Sequence, residues 1–238
     1  MLSAALALRG KKVLMVDGDS RRTATRILVK PSEVRMSLAD VLLPRDEQPV
    51  ALDDVIMRTQ VAGLDLIPST VHLANFDREG LNALMRLKDF LQRARRRYDF
   101  AIIDTPPNLG LLASAALAAS DYIIIAVQAE PEAFVGIGDL LQLIRVAKAS
   151  NKRLEILGAL CTMYDGRTTV SREIYEALKE KFEGRTFATI IERQVRLSEC
   201  PSVHQPIQLY APKSRGAEQY GELADEILKL LRGKDTRK

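Results

Sequence analysis

Short runs of consecutive apolar residues alternate along this chain with longer stretches whose apolar positions recur every three or four residues. The runs are Val13 to Val16, Leu64 to Ile67, Phe100 to Ile103, Tyr122 to Val127, Ile156 to Met163 and Phe187 to Ile191. Near-uniform runs of this length, rich in Val and Ile, predict strands buried on both faces. The helical stretches are Leu2 to Arg9, Glu79 to Arg97, Leu111 to Ala119, Glu132 to Ser150, Val170 to Lys181 and Ala217 to Leu231. In the last of these, Tyr220, Leu223, Ala224, Ile227, Leu230 and Leu231 form a stripe suited to docking on a sheet. Strand alternating with helix predicts an α/β fold: a doubly wound, mostly parallel sheet with helices on both faces. No repeat, low-complexity linker or composition shift divides the chain, and Pro44 to Pro49 reads as a loop. One domain spanning residues 1–238 is therefore expected.

Composition narrows the function classes. With 47% apolar and 28% charged residues, the 238-residue chain can build a substantial core. Lys plus Arg total 35 against 31 Asp plus Glu, a formal charge of +4, so any contact with DNA must come from a local patch. Cys161 and Cys200 show no metal-ligand spacing and read as reduced thiols. His72 and His204 are isolated, without a second ligand or a nucleophile pattern. Gly136 and Gly138 make a lone GxG inside a helical stretch, not a dinucleotide fingerprint. No apolar run approaches the ~18 residues that span a bilayer, and the first residues lack the layout of a secretion signal, so a cytoplasmic protein is expected.

The candidate chemistry lies where two strands finish in carboxylates. Ligands of an open parallel sheet sit beyond the carboxyl ends of its strands. There Val13 to Val16 is followed by Asp17-Gly18-Asp19, and Phe100 to Ile103 by Asp104-Thr105-Pro106-Pro107. An Asp after four apolar residues has the form of a Walker B element. Hard Mg²⁺ keeps most of its waters and needs one or two carboxylates to hold that shell, while a further carboxylate can orient an attacking water.

These stretches carry a family resemblance. Gly10 to Asp19, Ala101 to Pro107 and Thr162-Met163-Tyr164-Asp165-Gly166-Arg167-Thr168 resemble successive motifs of the ParA/Soj partitioning ATPases, within the MinD/ParA class of P-loop NTPases. Arg193 to Ser202 and Pro212 to Glu218 continue the resemblance in the same order, over nearly the whole chain. The resemblance implies ATP and Mg²⁺ as cofactors. By position, Asp19 matches the water-orienting carboxylate, Asp17 the magnesium-side carboxylate and Asp104 the Walker B carboxylate, with Thr105, Pro106 and Pro107 in the switch-like loop that follows. Arg193, Arg196, Lys213 and Arg215 fall in segments where related proteins contact DNA without base reading. The implied activity is slow ATP hydrolysis controlling a nucleotide-dependent homodimer on nucleoid DNA, stimulated by a ParB-like partner.

The chain departs from the family in two places. Members open with a strand and a loop like Lys-Gly-Gly-Val-Gly-Lys-Thr-Thr, and nothing in this sequence matches it. Aligned by its motifs, Met1 to Leu6 falls inside the helix after that loop, so the family's central first strand has no counterpart and unpaired edges are expected in the core. A start recorded too late and a truncated paralogue without its own phosphate loop both stay open; the latter would be a non-catalytic DNA- or protein-binding module. Secondly, Ser20-Arg21-Arg22 stands where the family has Pro-Gln-Gly, putting two cations near the proposed phosphate site. The run Arg93, Arg95, Arg96 and Arg97 reads as the solvated end of a helix. A MinD-like membrane regulator is the other functional reading, but Arg232 to Lys238 contain no apolar residue to insert in a bilayer, so no membrane contact is expected.

Overall fold

A computed structural model describes residues 1–44 and 50–235 of the chain. From Arg45 on, the loop expected at Pro44 to Pro49 lies outside the described residues, as do the last three residues of the tail. In chain order the strands are β1 (Val13–Asp17), β2 (Met57–Arg58), β3 (Leu64–Ile67), β4 (Phe100–Asp104), β5 (Tyr122–Gln128) and β6 (Glu155–Thr162). The helices are α1 (Leu2–Ala7), α2 (Thr23–Leu28), α3 (Leu38–Leu42), α4 (Leu52–Val55), α5 (Arg86–Gln92), α6 (Leu111–Ala119), α7 (Pro131–Val135), α8 (Ile137–Ser150), α9 (Thr169–Phe182), α10 (Val195–Val203), α11 (Ile207–Tyr210) and α12 (Arg215–Asp235).

β1 is the centre of the first sheet, whose order is β2-β3-β1-β4. It pairs in parallel with β3 and β4, and all five of its residues are buried. Its side chains alternate between two cores, as a strand's period of two requires. Val13 and Met15 pack with Leu6, Leu64, Leu66 and Ala224 on one face, while Leu14 and Val16 pack with Leu38, Leu42, Phe76 and Leu87 on the other. Apolar cores on both faces establish the doubly wound α/β arrangement.

The second sheet is the parallel pair β5-β6, separate from the first. β4 and β5 are joined through α6, the helical crossover that parallel strands use, yet neither strand hydrogen-bonds the other. Between them lies a cavity of about 1010 Å³.

Several elements differ from expectation for identifiable reasons. The run Phe187 to Ile191 is not a regular strand. Backbone hydrogen bonds tie it to β6 through Ala159 and Cys161, but the amides of Ala188 and Thr189 donate to the Glu226 carboxylate at 2.8 and 3.0 Å, outside the strand ladder. The helix expected from Glu79 is interrupted at Gly80: 3₁₀ turns cover Val71–Arg78 and Leu81–Ala83, and α5 is short. The arginines from 93 to 97 follow α5. There Arg93 stacks on Phe90 and donates to the carbonyl of Val50, and Arg97 pairs with Asp53. The stretch from Glu132 is two helices that meet at Gly136. β2, the antiparallel edge strand, had no signal in its two residues.

Candidate functional site

Parallel pairing of β1 with β4 puts Asp17 directly opposite Asp104. The chain then turns at Gly18, whose amide donates to the Asp104 carbonyl at 2.9 Å. A Cβ on Gly18 would lie 2.5 Å from that carbonyl oxygen, so only glycine allows so close an approach. Asp19 follows, also buried. Three carboxylates are thereby gathered at one end of two adjacent strands.

The three differ in how they are held. On Asp17, Oδ2 accepts from the backbone amide and the hydroxyl of Thr25, both at 2.7 Å, and Oδ1 accepts from the Asp19 amide at 3.2 Å. Thr25 in turn accepts from the Ser69 amide at 2.9 Å, which ties β1, α2 and the end of β3 together. Burial pushes the Asp17 pKa up, and the bonds from Thr25 and Asp19 oppose that shift. Asp19 is grasped by Arg21: Oδ1 accepts from the Arg21 amide at 2.9 Å, and Oδ2 from the guanidinium at 2.8 and 2.7 Å. Burial acts to raise the Asp19 pKa, but the Arg21 hydrogen bonds and charge outweigh it and the net shift is downward. Asp104 is exposed, and desolvation by the surrounding protein followed by the charge of Asp17 pushes it up to about 6. The charges of the N-terminal amine and of Arg21 act in the opposite direction.

Arg22 occupies a left-handed backbone conformation, φ 62° and ψ 32°, at the start of α2. That is the position at which the resembling family has glycine. Its Nε is buried without a hydrogen-bond partner.

Comparison with known proteins identifies the family. The chain is 43% identical to the sporulation initiation inhibitor protein Soj of Bacillus subtilis, over 95% of this chain and 90% of that protein. The chain belongs to the Soj/ParA family of chromosome-partitioning ATPases. The family described as AAA domain matches residues 1–156. The chromosome partitioning protein ParA of Myxococcus xanthus is 35% identical over 100% of this chain and 84% of its own length. Among solved structures, cobyrinic acid a,c-diamide synthase of Mycobacterium smegmatis, with a bound ATP analog and magnesium, superposes with a TM-score of 0.81 at 31% identity, covering 97% of this chain and 87% of that one.

Thr105, Pro106 and Pro107 continue directly from Asp104 as a loop towards α6. Arg193 pairs with Glu130, and Arg215 reaches Glu218, Glu222 and, at 3.7 Å, Glu192. The two segments are neighbours, because the Gly216 amide donates to the Gln194 side chain at 2.8 Å. Arg196 lies over the Tyr210 ring and 3.9 Å from Glu199; Lys213 is exposed. Among the described residues, no helix is long and apolar enough to cross a membrane.

Two residues were missed by sequence reasoning. Thr25 sits eight positions beyond its carboxylate partner, on a different element. Asp77 accepts from the Leu112 amide at 3.2 Å and from Asn108 at 2.9 Å, so it anchors the far end of the loop after β4. Gly110 lets it approach, since a Cβ there would lie 2.6 Å from Asp77 Oδ1. No local pattern marks either contact; both depend on tertiary pairing.

Proposed function

We propose that this chain is a ParA-like DNA-partitioning ATPase whose site lies at Asp17, Asp19 and Asp104. The observation that carries the reading is the register of Asp17 against Asp104 with Asp19 two residues on. Among the described residues no cluster of three or more His, Cys, Asp or Glu forms a protein-built metal cage. Two neighbouring carboxylates at adjacent strand ends instead suit a hydrated Mg²⁺ that a polyanion also ligates. Asp17 and Asp104 would hold that ion through water, and when bound it neutralises charge on the triphosphate.

The chain's own groups do the rest. Thr25 fixes the Asp17 carboxylate in one orientation. Asp19 accepts a hydrogen bond from the attacking water once Arg21 turns outward, which its exposed side chain permits. The loop of Thr105, Pro106 and Pro107 reports on the occupant of Asp104 because it begins at the next residue. A nucleotide-dependent homodimer, non-specific DNA contact through Arg193, Arg196, Lys213 and Arg215, and stimulation by a ParB-like partner complete the reading, in the cytoplasm and on the nucleoid. Four such cations at phosphates give log affinity falling with log salt at a slope of roughly −3.6 per protomer.

The test is Mg²⁺-dependent ATP turnover in the parent and in Asp19→Ala. The variant should lose about 100-fold or more in turnover and keep its affinity for ATP, as removal of one group acting only in the transition state does. Equal turnover in the two proteins contradicts the role given to Asp19. If the parent binds no MgATP, the chain is a non-catalytic member of its family.

A further inference from the structure

The loops that enter the parallel strands lie at the end of the molecule away from the carboxylates, and they are rich in cations. Lys11 and Lys12 precede β1, Arg95 and Arg96 precede β4, and Lys152 and Arg153 precede β6. These loops are tied together in pairs. The Asp99 amide donates to the Lys12 carbonyl and the Asp99 carboxylate accepts from the Lys12 amide, both at 2.8 Å, which joins the entries of β1 and β4. The Glu155 amide donates to the Asp121 carbonyl at 2.9 Å and the Asn151 side chain to the Ser120 carbonyl at 2.7 Å, which joins the entries of β5 and β6. Arg95, Asp99, Asp121, Lys152 and Arg153 border one opening, so the two pairs of loops make one face.

The charge on that face is not neutralised from within. Lys12, Arg95, Arg96, Lys152 and Arg153 are exposed and Lys11 is half-buried, and among the described residues none of the six forms an ion pair. The carboxylates in the same loops are Asp99, whose Oδ2 is engaged by a backbone amide, and Asp121. Asp53 and Glu155 are already paired, with Arg97 and Lys234. The cations of the C-terminal segments are in the opposite condition, since Arg193, Arg196 and Arg215 each sit beside a glutamate. Helix dipoles do not account for the excess. Their pull on cations falls off within the last turn, and the last turns of α1 and α5 hold no basic residue. Against a formal charge of only +4 for the whole chain, six unpaired cations on one face are a patch rather than background.

Such a face calls for a polyanion. An acidic protein surface is recognised through an apolar or aromatic anchor at the centre of the contact. Among the described residues, no exposed large hydrophobic side chain lies from Arg9 to Lys12, Arg93 to Asp99, Ser120 to Asp121 or Asn151 to Leu154. The same lack tells against a membrane, where stable attachment takes an apolar signal besides the basic one. Duplex DNA asks only for cations facing phosphates, with one charge per ~1.7 Å of its axis. We propose that the strand-entry face, through Lys11, Lys12, Arg95, Arg96, Lys152 and Arg153, is a contact surface for the backbone of duplex DNA. The five residues of β1, at about 3.3 Å each, place it roughly 15 Å from the carboxylates. The proposal depends neither on the nucleotide reading nor on the C-terminal cations.

The probe is a fluorescein-labelled DNA duplex of mixed sequence, with binding to the full chain read by anisotropy, without nucleotide, between about 50 and 200 mM salt. Three proteins are compared: the parent, Lys12→Gln/Arg95→Gln/Arg96→Gln/Arg153→Gln, and Arg193→Gln/Lys213→Gln. All substitutions are at exposed side chains, and unchanged thermal melting checks that the fold is kept. The fourfold variant should bind at least about tenfold more weakly at low salt, with a slope of log affinity on log salt shallower by roughly 3.6, the share of four phosphate contacts. Arg193→Gln/Lys213→Gln should keep saturable binding that the four substitutions, added to it, remove. A parent that binds no duplex, or a fourfold variant with the parent's affinity and slope, overturns the proposal. So does loss of all binding in Arg193→Gln/Lys213→Gln alone, which would leave DNA contact to the C-terminal segments. Phosphatidylglycerol vesicles, or poly-glutamate, that bind the parent more tightly than the duplex and release it on the four substitutions would overturn it too, by making the face a membrane or an acidic-protein surface.

Discussion

The two sides of β4 make opposite kinds of contact. Towards β1 the strand is closed: five residues pair in register, Gly18 presses its amide on the Asp104 carbonyl, and Thr25 and Ser69 lock the Asp17 carboxylate. Towards β5 the same strand faces a cavity, with Ala101 and Asp104 exposed. The carboxylates are therefore organised by one half of the molecule alone. Backbone register and a buried threonine fix their geometry, whatever stands on the open side.

The difference predicts an uneven stability map. Leu66→Ala, on β3 in the closed half, removes a fully buried side chain from a packed core and should destabilise the fold by about 2–5 kcal/mol in denaturant titration. Ile124→Ala borders the cavity and should lose about 1.5 kcal/mol or less, because part of its contact area is already absent. Comparable losses at the two positions would erase the contrast. An effect between these two is expected at Thr25→Val, which keeps the shape but strips the hydroxyl that donates to Asp17 and accepts from Ser69. Its cost is about 1–3 kcal/mol by the same titration. Smaller again and opposite in sign, Arg22→Gly should stabilise by about 1 kcal/mol, since glycine adopts the left-handed conformation without the steric cost an arginine carries. A loss at that position would mean that the arginine side chain contributes more than its backbone strain removes.

Much of this contrast was legible in the residues themselves. Four apolar positions ending in Asp read correctly as the strands β1 and β4, but the expected burial on both faces holds for β1 alone: Ala101 and Asp104 of β4 are exposed and its other residues half-buried. The carboxylates at their ends followed at once, and the family motifs gave them separate candidate roles.

What escaped was long-range. Glu226 lies outside the apolar stripe read along α12, yet it takes the amides of Ala188 and Thr189 across 38 and 37 positions and keeps that run from becoming a strand. Asp77 meets Leu112 over a gap of 35. Nothing in the periodicity of either segment encodes such a partner. Arg21 was legible as a cation near the site, but its two-residue clasp on Asp19 depends on the turn that Gly18 begins. Arg22 likewise stood out as a departure from the family's glycine, and only the backbone dihedral shows what that departure entails.

The central claim is that carboxylates from neighbouring strand ends serve one magnesium-bound triphosphate. Calorimetric titration of ATP into the parent chain and into Asp104→Asn, each with and without Mg²⁺, tests it most directly. The account predicts binding by the parent that requires Mg²⁺, and affinity at least about tenfold weaker in Asp104→Asn, where one carboxylate charge at the ion is gone. Equal affinity in the two proteins, or binding by the parent that is indifferent to Mg²⁺, would contradict it.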